Sequence, residues 1–156
     1  MSIERAREHL KIYGLEDGIM EFDVSSATVE LAAQAIGVSG ARIAKSLSFI
    51  TDSPILVVAA GDAKVDNRKF KDKFCTKAKM IPSEKVEELI GHAVGGVCPF
   101  GVNDGVRVYL DVSLRRFDTV FPACGSSNSA IEMSMDTLEM ASGFTEWIDV
   151  CKIPEE

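Results

Sequence analysis

The sequence predicts an α+β fold carrying a mainly antiparallel or mixed sheet, and three observations lead there. Helical and strand periods are interspersed along the chain without the regular βαβ alternation of a doubly wound fold. Residues 44–51 alternate apolar and polar and residues 55–60 are continuously aliphatic; with the Asp52-Ser53-Pro54 turn between them they read as a hairpin whose second strand is the more buried. Strand-like composition then dominates the second half. A chain of 156 residues, 46% hydrophobic and 26% charged, suits one globular domain over residues 1–156 with a sizeable core. Apolar periodicity runs throughout, with no repeat, low-complexity tract or linker to divide it.

In chain order, residues 2–13 carry helix formers as far as Gly14. Residues 28–36 predict a second helix, with Thr28 placed to cap its first turn, Glu30 inside that turn and Gly37 just past the end. After the hairpin and Gly61-Asp62 come a polar helix over 66–74 and a short one over 83–90 with Ser83 as its expected cap. Residues 106–112, 119–122 and 130–133 read as strands, and 144–150 as a terminal strand or short helix. Asp136 and Glu139 have the spacing of a capping box at the start of a helix ending near Gly143.

Composition excludes several classes. Lys and Arg total 17 against 24 Asp and Glu, a formal charge of −7, which rules out an all-over basic nucleic-acid binder but leaves room for a local patch. The aliphatic run 55–60 is too short to cross a bilayer, and the first ten residues are charged where a signal peptide is apolar, so a cytoplasmic protein with no membrane association is expected. Cys75, Cys98, Cys124 and Cys151 are scattered, with no CxxC pair and only His9 and His92 as further soft ligands. No metal site and no disulfide framework is expected; at least three of these thiols read as small buried hydrophobes.

Three features carry chemistry. On a strand over 44–50, Lys45 shares a face with Leu47 and Phe49 while Ser46 and Ser48 point the other way, so its ammonium stands beside apolar side chains. Lys45 then either snorkels to water at the strand end or sits at a pocket mouth to hold a phosphate or a developing negative charge. The loop Gly95-Gly96-Val97-Cys98-Pro99-Phe100-Gly101 has the flexibility and stiffening to aim backbone N–H groups at an oxyanion, or simply to turn the chain; it matches neither nucleotide-binding fingerprint. Residues 64–79 hold seven cations against Asp66 and Asp72, a local charge of +5 on a chain whose remainder carries −12. That stretch is either a solvated helix face or a phosphate-facing patch. There is no GxSxG elbow and no HExxH. A Cys98 nucleophile with His92 is the remaining hydrolase arrangement, and the carboxylates Asp62, Asp66, Asp104 and Asp111 show no paired spacing.

These residues, in this order, resemble the YbaK/ProX family of aminoacyl-tRNA deacylases, related to the editing domain of bacterial prolyl-tRNA synthetases. The likeness spans nearly the whole chain: Thr28-Val29-Glu30 with Ala32-Ala33 and Ile36-Gly37-Val38, Ala44-Lys45-Ser46-Leu47, Val57 to Asp62 with Val65-Asp66, and the G-x-x-x-P match from Gly95 to Pro99 followed by Phe100-Gly101. The resemblance implies a barrel-like mixed sheet with surrounding helices and a pocket for the aminoacylated 3′ adenosine of tRNA. Lys45 matches the family's lysine and would position substrate, while Pro99, Phe100 and Gly101 would hold the ester and stabilise its oxyanion. Ser46, Gly61, Asp62, Lys64, Gly95, Gly96, Asn128 and Ser129 are assigned to substrate binding, and Arg68, Lys69, Lys71 and Lys73 to tRNA. No cofactor is implied, and a prolyl-tRNA synthetase is the implied partner.

The expected activity is therefore deacylation of mischarged aminoacyl-tRNA, a small residue such as alanine or cysteine on a proline-specific tRNA, in which an ordered water and the substrate's own hydroxyl or side chain take the place of a protein base. Gly125-Ser126-Ser127-Asn128-Ser129 departs from the more basic or glycine-rich stretch of several relatives, which leaves serine or another small residue open as the edited one. The competing expectations are a non-catalytic module that binds aminoacyl-tRNA, a synthetase or a small metabolite, and a Cys98 hydrolase.

Overall fold

The computed structural model describes residues 2–154. In order, the elements are α1 (Ser2–Lys11), β1 (Met20–Glu21), α2 (Val29–Ile36), β2 (Ile43–Ile50), β3 (Pro54–Ala60), β4 (Lys64–Val65), α3 (Asn67–Phe74), α4 (Ser83–Ile90), β5 (Arg107–Asp111), β6 (Thr119–Pro122), β7 (Ser129–Ala130), β8 (Met133–Ser134), α5 (Met135–Ser142), β9 (Glu146–Ile148) and β10 (Cys151–Lys152). Six strands form a curled half-barrel in the order β8-β6-β2-β3-β5-β9, and two short ladders, β1–β7 and β4–β10, close its margins. The fold is the expected mixed α+β arrangement. Among the described residues four of the seven strand junctions are antiparallel, the parallel ones being β2–β6, β3–β5 and β5–β9.

The aliphatic run behaves as its composition requires. From Ile55 to Ala60 every residue of β3 is buried, because β2 covers one edge, β5 the other, and helices the faces. The β2–β3 register runs from Ala44 opposite Ala60 to Ile50 opposite Pro54, across the expected turn. Phe49 projects from β2 onto Phe70 of α3, ring centroids 4.9 Å apart, and Phe74 continues the aromatic chain to Tyr109 of β5. Lys45 shares that face of β2 by the two-residue period.

The second helix has the caps its sequence signals: Thr28 Oγ1 accepts from Leu31 N at 3.2 Å, and Gly37 closes the helix at φ 86°. Asp66 caps α3 by accepting from Arg68 N and Lys69 N. Two expected caps differ. Ser83 is the first residue inside α4, since the rigid Pro82 occupies the cap position without a side-chain bond. Helix α5 begins before Asp136 because Ser134 Oγ accepts from Thr137 N, which leaves Glu139 free to accept from Trp147 Nε1 at 2.6 Å instead of closing a capping box. The expected strand 130–133 divides in two: Ala130 pairs with Met20 of β1 and Met133 with Val120 of β6. Residues 144–150 contain the strand β9.

Candidate functional site

The sheet is interrupted beside β2. Its parallel pairing with β6 ends at Ala44 opposite Pro122, and main-chain pairing on the same side resumes only where Ile81 N donates to Ser48 O at 3.1 Å and Ile50 N to Lys79 O at 2.9 Å. In an antiparallel pair, alternate residues turn their N–H and C=O toward the partner strand. Ser48 and Ile50 turn theirs away from β3, and Ala60 opposite Ala44 spends its N–H on Ser113 Oγ at 3.1 Å, so Ser46 also turns its N–H and C=O away from β3. No ladder partner meets Ser46 there among the described residues, and its Oγ is buried without a hydrogen bond.

A cavity of about 250 Å³ fills this interruption. β2 lines it from both faces, Ile43 and Lys45 from one, Ala44, Ser46 and Ser48 from the other, as expected of a hollow at a strand edge. Thr28 and Val29 contribute from the start of α2, Ser83 and Val86 from α4, Val94, Gly95 and Val97 from the glycine-proline loop, and Phe121, Ala123 and Ser129 from the β6–β7 segment. Among the described lining residues Lys45 is the one titratable side chain; no His, Cys, Asp or Glu lines the space. Thr28, Ser48, Ser83 and Phe121 are lining residues that sequence reasoning did not assign to the site. Ser48 was within reach, because it stands two residues from Ser46 and so on the same face.

The Lys45 ammonium is half-buried and donates to Gly61 O at 3.3 Å and to Ala63 O. Burial is the chief reason its pKa lies below 10.5; Asp62 and Glu30 oppose that shift and Lys64 adds to it. Three donors and two protein acceptors leave one N–H for another oxygen. The acceptor turn is held by a close approach: a Cβ on Gly61 would stand 2.1 Å from Gly40 O and 2.8 Å from Val29 Cγ1. Asp62 does not line the cavity. It forms a two-pronged pair with Arg116 at 2.6 and 3.1 Å, which holds its carboxyl below the usual carboxylate range. Lys64 is exposed on β4 outside the lining.

The glycine-proline loop divides. Gly95 reaches the cavity, whereas Pro99, Phe100 and Gly101 do not line it. Phe100 is fully buried in the main core, its ring 6.1 Å from that of His9, and Gly101 sits where a Cβ would come within 2.8 Å of Arg5 O. Gly96 is likewise packed on the chain, 2.6 Å from the Gly125–Ser126 backbone if given a Cβ. These glycines serve chain-to-chain packing, the physical reason that the loop's second half lies away from the cavity it was expected to line. Asn128 is also outside it: its amide donates to Phe22 O at 3.0 Å and its carbonyl accepts from Ser126 Oγ, while Ser129, which does line the cavity, shares a 2.6 Å hydroxyl contact with Ser126.

Four residues assigned to tRNA lie on α3, and two are engaged within the protein. Lys69 pairs with Asp149 at 3.1 Å and donates to Cys151 O, and Lys73 pairs with Glu146 at 2.5 Å. Arg68 and Lys71 face a separate surface hollow with Asn67 and Lys77, and form no ion pair among the described residues.

Cys98 and His92 do meet, Sγ to Nε2 at 3.6 Å, but both are fully buried. The His92 Nε2 atom is 2.6 Å from Phe100 O, so it carries a proton that it donates and cannot take one from the thiol. Burial pushes the Cys98 thiol up to about 12. Cys98, Cys124 and Cys151 are the buried small hydrophobes expected, and Cys75 is exposed.

A chamber at a sheet discontinuity, lined by one ammonium, several hydroxyl residues and the outward main-chain edge of Ser46, can orient a small polar group by fixed electrostatics. The chain belongs to the aminoacyl-tRNA editing domain family, which its residues 24–140 match. It is 55% identical over 154 residues to the uncharacterized protein YwhH of Bacillus subtilis, covering 97% of this chain and 98% of that one. It is 27% identical over 95 residues to a proline--tRNA ligase of Limosilactobacillus fermentum, covering 56% of this chain and 17% of the ligase. A solved structure described as a candidate trans-editing enzyme for prolyl tRNA synthetase superposes with a TM-score of 0.86 at 28% identity, covering 97% of both chains. Among the described residues no helix is long and apolar enough to cross a membrane.

Proposed function

We propose that this chain acts as one cytoplasmic editing domain over residues 1–156, a metal-independent deacylase that hydrolyses a small amino acid such as alanine or cysteine from a mischarged proline-specific tRNA and works beside a prolyl-tRNA synthetase. The observation that carries this reading is the chamber at β2, where Lys45 is the one titratable lining residue and neither a metal-binding carboxylate, imidazole nor thiol is offered. Such a lining serves a reaction in which orientation and electrostatics do the protein's share. Water adds to the ester carbonyl, the negative charge that develops on oxygen is met by the remaining Lys45 N–H and by the main-chain donor of Ser46, and the bond to the ribose oxygen breaks as that oxygen takes a proton. The proton is handled by the substrate's neighbouring ribose hydroxyl or its side chain, since no protein base faces the space. Roughly 250 Å³ is below the ~300–1,000 Å³ of pockets for drug-sized ligands, which favours a small acyl group. Arg68 and Lys71 are the proposed contacts to the tRNA backbone.

A panel of alanyl-, cysteinyl-, seryl- and prolyl-tRNA carrying the proline-specific acceptor tests the proposal. Release of at least one small residue, with prolyl-tRNA spared, is expected. Binding of the panel without release of any member would establish instead the non-catalytic module, which the lack of a protein base in the chamber also suits.

A further inference from the structure

Resting on the deacylase reading, we propose that Ser46 reads the aminoacyl group as the missing residue of a β-ladder, its main-chain N–H donating to the ester carbonyl and its C=O accepting from the α-ammonium. Residues opposite each other in an antiparallel ladder exchange two N–H···O bonds when their polar groups face one another. Ser46 presents both halves of that exchange toward the cavity, between a ladder that ends at Ala44–Pro122 and main-chain pairing that resumes at Ser48–Ile81. An aminoacyl ester carries the complementary pair, an amine and a carbonyl on adjacent atoms of one residue; a nucleobase edge also sets a donor beside an acceptor, and the deaminated ester tells the two apart. Filling the interruption would meet main-chain groups that protein partners leave open, as an extended peptide does when it adds to a sheet edge.

The geometry also sets where the acyl side chain goes. Opposed residues put their side chains on one face, with Cβ atoms about 4.5–5.5 Å apart. The substrate side chain would then stand on the Ser46 side-chain face of β2, with the main chain as the reader of the amine.

The test pairs each aminoacyl-tRNA with its 2-hydroxy counterpart, made by nitrous acid deamination, the cysteinyl thiol being masked as a disulfide beforehand and reduced afterwards, so that alanyl becomes lactyl with ester and side chain unchanged. For whichever of alanyl-, cysteinyl- or seryl-tRNA is hydrolysed, the enzymatic rate divided by the uncatalysed rate is compared within the pair. A charged donor to a carbonyl is lost, so the deaminated ester is expected to fall at least about tenfold. The same ratio is expected in Ser46→Ala, which keeps the main chain. A ratio under threefold in the wild type, or its collapse in Ser46→Ala, overturns the main-chain assignment while leaving the deacylase reading intact. Hydrolysis of no aminoacyl-tRNA overturns the deacylase reading and this proposal with it.

Discussion

Replacing Lys45 with alanine separates what the ammonium does for the fold from what it does for the reaction. In the folded chain it donates to Gly61 O and Ala63 O, and its deletion leaves two carbonyls of the β3–β4 turn to water. The site is half-buried, so water can replace much of that bonding, and the loss in stability is expected near 1 kcal/mol, the lower part of the ~1–3 kcal/mol range for an orphaned buried acceptor. With a urea dependence of ~2 kcal/mol/M this moves the unfolding midpoint down by about 0.5 M. Loss of one donor to a developing oxyanion lowers kcat by about 10²–10³-fold in other acyl-transfer sites, and the same range is expected here. Single-turnover release of the small amino acid from mischarged tRNA, beside urea unfolding of the same preparation, measures both. Lys45→Arg retains charge but not the compact three-donor geometry, and is expected to restore stability more than rate. Release within threefold of the wild type in a folded Lys45→Ala protein would refute the reasoning, because the one ionisable group of the chamber would then be idle.

Other expectations concern the frame. Burial lowers the His92 pKa below its unfolded value of about 6.5, so the unfolded chain binds a proton that the folded one refuses; this contribution to stability is complete above pH ~6.5 and is lost as pH falls through the lowered native pKa. His92→Gln should accordingly show a smaller drop in urea midpoint between pH 7.5 and pH 5.5 than the wild type, and an equal drop would contradict it. Gly61→Ala forces a Cβ into Gly40 O, and a cost of roughly 1–3 kcal/mol, or about 3–10 °C in Tm, is expected together with slower deacylation as the Lys45 anchor shifts; an unchanged Tm by calorimetry would show that the turn yields freely. Arg68→Ala with Lys71→Ala should weaken tRNA binding and reduce the log–log salt slope by about 1–2, with folding stability altered by less than ~0.5 kcal/mol; filter binding across salt concentrations that shows an unaltered slope would remove α3 from the tRNA interface.

The parts of this structure that were legible in sequence are those whose signals are local. Thr28 and Gly37 bracket α2 because a capping hydroxyl and a left-handed glycine act within a few residues, and the 55–60 run could only be a strand covered on both sides. β1, β4, β7, β8 and β10 have two residues each, too few to display a period, and the 130–133 segment changes partner in its middle. In the candidate site, the facing of Lys45 and Ser46 followed from the strand period. The glycine-proline loop was opaque for a different reason: Gly96 and Gly101 satisfy steric demands made by Gly125 and Arg5, which lie far away in sequence, and glycine looks the same whether a ligand or another stretch of chain approaches it. The Cys98–His92 contact shows the converse, proximity that suggests chemistry until burial and the Phe100 carbonyl determine where the proton sits.

The gap beside β2 can be resized only in steps. Pairing stops at Ala44 and begins again at Ser48 in one unbroken two-residue alternation, so lengthening the slot means surrendering another pair of residues from the central strand, and a single-residue insertion would turn Ser46's polar edge toward β3. A larger occupant would therefore have to be admitted by trimming the walls, at positions such as Val29, Val97 and Phe121, while the strand itself stays fixed.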